Sequence, residues 1–181
     1  MKSVNQILPA RWFFGIVKRR VQSVLHRLRL DLKRAGNRVL PTNELAWDLN
    51  EKARFLGFGE GSRVYDSCCV FGEVKVGKNV WVGPFTLLVG AGGLVIGDNC
   101  SIGAGAQIYT HDSVRSSLSG GREPYEYTAT AIGNDCYIGP NAVIARGVTL
   151  GDRCVVGANS FVNRSFESGS KIAGNPARAI D

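Results

Sequence analysis

A six-residue period governs residues 132–162. The stretch divides into Ile132-Gly-Asn-Asp-Cys-Tyr, Ile138-Gly-Pro-Asn-Ala-Val, Ile144-Ala-Arg-Gly-Val-Thr, Leu150-Gly-Asp-Arg-Cys-Val and Val156-Gly-Ala-Asn-Ser-Phe, and then reaches Val162. Every block opens on an aliphatic residue, and all but one of them put Gly second. The same phase appears upstream at Ile96-Gly97, Ile102-Gly103 and Ile108, and a second set, offset by two residues, runs Val64, Val70, Val76-Gly77, Val82-Gly83, Leu88. About fourteen hexads in fixed register identify a repeat architecture before any single motif is weighed.

The period excludes the two ordinary patterns. A helix would place apolar residues at i, i+3, i+4 and i+7, and an amphipathic strand would alternate strictly. Six residues suit a short strand followed by a tight turn, with the opening aliphatic pointing inward. Asn79, Asn99, Asn141 and Asn159 share the fourth position of their blocks, where a recurring corner needs residues that tolerate left-handed backbone, and Gly supplies further unusual angles. The fifth position is small (Cys68, Val80, Cys100, Ala106, Cys136, Ala142, Cys154, Ser160), which predicts a second, cramped inward site. The fold class expected is an all-β solenoid, a parallel β-helix of triangular section with three hexads per turn. Coils about 4.8 Å apart would make a prism of four to five coils, roughly 20 Å tall. Gly90-Ala91-Gly92-Gly93 marks the two-residue slip between the hexad sets and reads as a bulge at a corner; it lacks the Lys-Ser/Thr of a phosphate loop.

Four of the five cysteines share the inward phase and no CxxC pair occurs, so they read as small core residues rather than metal or redox groups. Unpaired thiols and the lack of a signal peptide predict a cytoplasmic protein, in the reducing cytosol.

Charge is concentrated at the N-terminus. Residues 1–40 hold ten Lys or Arg against the single acid Asp31, in a chain of net charge +7, so the remainder is slightly acidic. Phe13, Val17, Val21, Val24, Leu28 and Leu32 recur at steps of three or four, predicting an amphipathic helix that stops at Gly36-Asn37 and cannot pass Pro41. No charge-free window reaches membrane-spanning length. Two uses fit this helix: capping the open end of the solenoid, or lying peripherally on the anionic inner face of a membrane with Trp12, Phe13 and Phe14 at the interface. No nucleic-acid recognition motif accompanies the charge. A second helix is expected over 43–55 with Asn43 as its cap, giving a helical extension 1–61, a solenoid 62–167 and a C-terminal tail 168–181.

From Ile108 to Ile132 the step is 24 residues, four whole blocks, and the phase resumes unchanged. The loop 109–131 carries almost no repeat signature. A long loop leaving a rigid scaffold points to function. His111 stands at its root, and the other histidine, His26, belongs to the basic helix.

The blocks at 132–141, the Arg146-Gly147-Val148 turn, Val156-Gly-Ala-Asn-Ser-Phe-Val and the ending Ala173-Gly-Asn-Pro-Ala-Arg178 resemble the hexapeptide-repeat acyltransferases, and within them the sugar and polysaccharide O-acetyltransferases of the maltose and galactoside type. The resemblance covers residues 62–180. It implies a left-handed β-helix, against the usual right-handed crossover, a homotrimer with active sites between subunits, acetyl-CoA as donor and no metal. It places His111 on the catalytic histidine, which would take the proton of a sugar hydroxyl as that oxygen attacks the thioester. An imidazole, with a reference pKa of about 6.5, suits such work near neutrality. Asp112 would orient it or bind the acceptor. Ala158 and Asn163 match positions lining the pantetheine, and Arg178 matches a basic residue near the nucleotide phosphates, with Arg164 and Lys171 as further candidates. Gly139, Ala145 and Gly157 would allow close approach of the donor, and Phe85 and Tyr109 fall on acceptor-side positions. Phe85 replaces an acceptor-binding Asn, Tyr137 a Trp and Arg146 a Pro, and the basic extension is also unusual. These departures favour a larger glycan acceptor, such as a lipid-linked intermediate of capsule or O-antigen assembly. An N-acetyltransferase of an amino sugar nucleotide, or a non-catalytic trimeric scaffold, stand as alternatives. A carbonic anhydrase on this fold is excluded, because it would need three histidines for zinc and the solenoid has one.

Overall fold

The computed structural model describes residues 10–45 and 48–180. The hexads wind into a left-handed parallel β-helix. Its first face stacks Val64, Val82, Ile102, Ile138, Val156 and Ile172 as successive rungs, its second Val70, Leu88, Ile108, Ile144 and Val162, and its third Val76, Ile96, Ile132 and Leu150. Phe166 adds a last bridge beneath Leu150. The opening aliphatics are buried, most of them completely, apart from half-buried Val70, and form one core among the described residues.

The prism is taller than the expected four to five coils: the first face has six rungs. The last coil escapes the hexad count because it is two residues short. Val156 pairs with Ile172 and Leu150 with Phe166, steps of sixteen residues, so both closing residues fall out of phase. The expected tail is therefore the sixth rung, Lys171–Gly174, covered by Ala177–Ala179 running antiparallel along its edge.

Each corner separates two jobs that the sequence reading gave jointly to Gly and Asn. The fourth block position takes the left-handed conformation: Asn79, Asn99, Asp135, Asn141, Arg153 and Asn159 all have φ of 56–59°. The second-position glycines do not; all but Gly157, in the last full coil, are required by crowding. A Cβ on Gly133 would lie 2.7 Å from the carbonyl carbon of Gly151, and one on Gly103 would lie 2.6 Å from Pro140 N. At the fifth position Cys68, Cys100, Cys136 and Cys154 are buried, whereas Cys69, at the sixth, is exposed. The thiols donate across the coil, Cys100 Sγ to Gly133 O at 3.1 Å and Cys136 Sγ to Gly151 O at 3.2 Å. Burial pushes the Cys154 thiol up. The Gly90–Gly93 slip is a bulge, where Gly72 pairs with Gly90 but Val74 pairs with Leu94.

The chain divides into compact units at 1–46 and 47–181. In the second, helix α2 (Leu49–Phe55) starts at Asp48, whose carboxylate accepts from the Asn50 and Glu51 amides at 2.9 and 3.4 Å. The cap is thus Asp48, not Asn43, which sits in a single 3-10 turn, Thr42–Leu45. Ala53 and Phe58 join the solenoid core, so α2 belongs with the prism rather than with the basic extension. In the first unit the basic segment is a helix, α1 (Ala10–Gly36). It ends as expected: Asn37 turns left-handed at φ 50°, and its amide donates to Lys33 O at 2.9 Å. Val17, Val21, Val24 and Leu28 on its apolar stripe are all exposed. The side chains of Trp12 and Phe13 lie outside the described residues. Among the described residues no helix is long and apolar enough to cross a membrane.

Candidate active site

The solenoid releases its one long loop at Thr110, which is fully buried. The Thr110 hydroxyl donates to Val89 O at 2.7 Å and accepts from the Gly92 amide at 2.8 Å. A Cβ on Gly92 would sit 2.5 Å from Thr110 O, so the glycine bulge is what lets the loop leave here. Residues His111–Asp112 then pair antiparallel with Glu126–Tyr127, making a two-stranded ribbon that stands off the prism. Its outer end is the short helix α3 (Val114–Leu118), opened by the Asp112 carboxylate accepting from the Val114 amide at 3.1 Å. The returning chain is fixed by Thr128 N–H donating to Thr110 O at 2.9 Å and by the Thr130 hydroxyl donating to Tyr109 O at 2.8 Å.

His111 lies directly opposite Tyr127 on the ribbon and stacks with both Tyr125 and Tyr127, ring centroids 6.1 and 5.7 Å away. Its Nδ1 is buried and has no hydrogen-bond partner among the described residues. Such an orphan in a polar loop calls for an explanation. Asp112 does not supply the partner. Its carboxylate is bound by Arg146 Nε, while Arg146 Nη2 donates to Glu126 Oε2 at 2.7 Å and Nη1 to Thr128 Oγ1 at 3.1 Å. The Arg146 guanidinium holds the Asp112 carboxyl below its ordinary range, helped by the Val114 amide, and Asp112 in turn raises Arg146. Asp112 thus serves the ribbon rather than the imidazole.

Beneath the ribbon a cleft of about 450 Å³ runs along the second face, lined by Tyr109, His111, Asp112, Val143, Ala145 and Phe161 among others. It gathers four of the residues singled out in the sequence. Tyr109, Ala145 and Asn163 occupy one corner column, since the Tyr109 amide donates to Ile144 O and the Ala145 amide to Val162 O. Asn163 therefore continues the column above Ala145, with Arg164 next to it, its guanidinium 5.1 Å from the Phe166 ring centroid. Gly139, Gly157 and Ala158 lie along the other corner of the same face, and a Cβ on Gly139 would strike Ala158 N at 2.5 Å. Gly139 is thus fixed by the fold before any ligand is considered. Lys171 and Arg178 sit on the sixth rung of the first face and its covering strand. Phe85 does not line the cleft; it is an exposed corner residue held at φ 59°, in a region unfavourable to a bulky side chain.

The chain matches the family described as bacterial transferase hexapeptide (six repeats) over residues 129–164 and the hexapeptide repeat of succinyl-transferase over 73–110. It is 36% identical over 136 residues to nodulation protein L of Rhizobium leguminosarum bv. viciae, a match covering 72% of this chain and 68% of that protein. The chain belongs to the hexapeptide-repeat acyltransferases. Among solved members of similar fold, the hexapeptide-repeat acetyltransferase VCA0836 of Vibrio cholerae O1 biovar eltor, complexed with acetyl-CoA, is 27% identical with a TM-score of 0.52, covering 88% of this chain and 85% of that one. AntD, an N-acyltransferase of Bacillus cereus, solved in a mutant form with dTDP and coenzyme A, is 25% identical with a TM-score of 0.62, covering 68% and 71%. The acetyltransferase domain of PglB from Neisseria gonorrhoeae FA1090 is alike in fold, at 21% identity and a TM-score of 0.55 over 68% of this chain, which spans half of that one.

What the sequence did not single out is as specific to this acyltransferase as what it did. Val143 and Phe161 face the cleft because the residue before each buried aliphatic points outward, a parity legible in the hexads. Tyr125 and Tyr127 could have been found from their two-residue spacing in the loop, which puts both rings on one side of a strand. Arg146 was noted only as a departure from Pro. Its signal was an arginine at a corner position facing a loop that contributes two carboxylates.

Proposed function

We propose that this acyltransferase moves an acetyl group from acetyl-CoA to a hydroxyl of a sugar, with His111 as general base. The observation that carries the reading is the isolated imidazole, raised on a ribbon over an apolar cleft, in a fold belonging to this transferase family. His111 would remove the hydroxyl proton as the oxygen attacks the thioester carbon. The thiolate then leaves as the acetyl ester forms, and the imidazolium returns its proton to the departing sulfur. The extended pantetheine would run along the corner column of Ala145 and Asn163, where side chains are short. The nearby Arg164, with Lys171 and Arg178, supplies cations for the nucleotide phosphates. The likeness to VCA0836, solved with acetyl-CoA, supports the donor.

A homotrimer fits the exposed apolar residues of α3, Val114 and Leu118, and a buried His111 Nδ1 without a partner among the described residues. The acceptor read here is a glycan of capsule or O-antigen type. AntD favours a second reading, N-acylation of an amino sugar nucleotide. Incubation with acetyl-CoA and a panel of hexoses, oligosaccharides, hexosamines and amino sugar nucleotides tests both. Thiol release is expected with hexoses or oligosaccharides that carry no amine; release confined to the acceptors with a primary amine would replace O- by N-transfer.

The reading extends to location. Free thiols suit a reducing cytoplasm, and α1 suits the inner membrane surface, where a lipid-linked acceptor would be found. Each basic residue near an anionic surface contributes about 1 kcal/mol, and α1 pairs its exposed apolar stripe with a strongly basic face. The full chain is expected to sediment with vesicles rich in anionic lipid at low salt, less at high salt and not with neutral ones. Deletion of residues 1–40 should abolish sedimentation and spare activity on a soluble acceptor. Equal binding to neutral vesicles, or binding by the truncated chain, would remove the membrane role.

A further inference from the structure

Asp112 and Glu126 are cross-strand partners at the outer end of the ribbon, so two carboxylates face each other one residue from His111. Like charges placed directly opposite destabilise an antiparallel pair. The ribbon has only two residues per strand, and its other anchors, the His111 and Tyr127 pair and the Thr128 amide on Thr110 O, lie at its root rather than at this carboxylate pair. Arg146 resolves this from outside the loop. It stands on the solenoid corner after Ile144, half-buried, and each of its three guanidinium nitrogens donates to a different loop residue: Asp112 on the outgoing strand, Glu126 on the returning strand and Thr128 at its base. The planar fork of arginine satisfies such a three-way geometry, which a lysine ammonium on a flexible stem does not fix. The other cation near these carboxylates, Arg115, meets Glu126 at 3.6 Å and Glu123 at 4.0 Å from a side chain that is 64% exposed, so solvent screens it.

We propose that Arg146 is a positioning residue: it clamps the ribbon shut against the repulsion of Asp112 and Glu126 and thereby sets His111 over the cleft. It need not touch acceptor or donor to do so. The catalytic part of the inference rests on His111 acting as base; the clamp itself does not, and its test has a readout that needs no substrate.

The ribbon's loop contains two trypsin sites, Arg115 and Arg122. Arg146→Met should raise the rate of cleavage there by about tenfold, because local opening governs proteolysis, while the coils stay intact. It should lower kcat by about 10–100-fold, the range seen when an outer-shell group that orients a reacting one is lost, and leave KM for acetyl-CoA unchanged. Arg146→Lys, which keeps the charge without the fork, should fall between the two. The decisive variant is Arg146→Met with Glu126→Gln. It removes one of the two facing charges and so the repulsion, and a Gln amide opposite Asp112 can donate to its carboxylate, so protection and much of the kcat should return. Cleavage of Arg146→Met at the wild-type rate would overturn the clamp. So would a raised KM for acetyl-CoA with kcat intact, which would make Arg146 a phosphate ligand, or a double variant no better than the single one. If protection behaves as expected while His111→Ala retains full activity, the clamp stands and the general-base assignment fails.

Discussion

His111→Ala is expected to lower kcat by about 10²–10⁴ with KM for acetyl-CoA unchanged, the loss typical of a removed general base. The size follows from the nucleophile. A neutral hydroxyl attacks a thioester poorly unless its proton leaves as the bond forms, and among the described residues lining the cleft only His111 is a base suited to neutral pH. Asp112 is already bound by Arg146 and held in its charged form, which makes it a poor proton acceptor. Donor affinity should survive because the imidazole forms only one wall of the cleft, while the pantetheine and phosphates are assigned to Ala145, Asn163 and the basic residues of the later coils. Stability should survive as well, since His111 contributes nothing to the solenoid core. Steady-state kinetics with saturating acceptor, beside a melting curve, make the comparison. A loss under tenfold would mean that the acceptor needs no base, as a neutral amine does not.

The second large effect concerns the fold. Gly139→Ala places a methyl 2.5 Å from Ala158 N and 2.7 Å from Gly157 C and Val156 O, all of them backbone of the next coil. That coil cannot recede. The Gly139 amide donates to Val156 O at 2.8 Å, and the coil beyond it is paired in turn, with the Gly157 amide donating to Ile172 O at 2.7 Å. Overpacking against such rigid neighbours should cost about 3 kcal/mol or more, lowering Tm by about 6–12 °C for a chain of this size. Gly157→Ala is the informative contrast: its nearest neighbour would be the Ala173 Cβ at 3.1 Å, a side chain at the end of the solenoid. It should melt close to wild type, so that any loss of donor binding there reports on the ligand. A Gly139→Ala protein as stable as wild type would contradict the crowding account of second-position glycines.

The repeat made the fold legible because hexads encode both burial and corners locally. Val64 and Ile138 stack on one face although they are far apart in sequence, and the register that buries Ile138 also buries Cys136 two residues before it. Legibility failed where local rules gave way to contacts between coils. Ile172 was lost because the turn before Phe166 is short, and Asp48 rather than Asn43 became the cap because the helix starts later than its apolar pattern. Second-position glycines looked like conformational switches; only the next coil reveals them as gaps left for backbone. The site divided in the same way. His111 could be singled out from its place at the root of the loop, and Tyr109 and Ala145 from the family resemblance. The partnership of Asp112 with Arg146, across 34 residues of sequence, depends on how the ribbon folds back, and no period in the sequence encodes that return.

The product of the reaction tests the central claim most directly. The protein is supplied with acetyl-CoA and the acceptor that gives the highest rate of thiol release, and the acetylated product is isolated and treated with mild alkali. An acetyl group on a sugar hydroxyl is an ester and should be removed, regenerating the acceptor, and His111→Ala should form this product at least a hundredfold more slowly. An alkali-stable amide, or the same ester formed at an undiminished rate by the variant, would contradict the account.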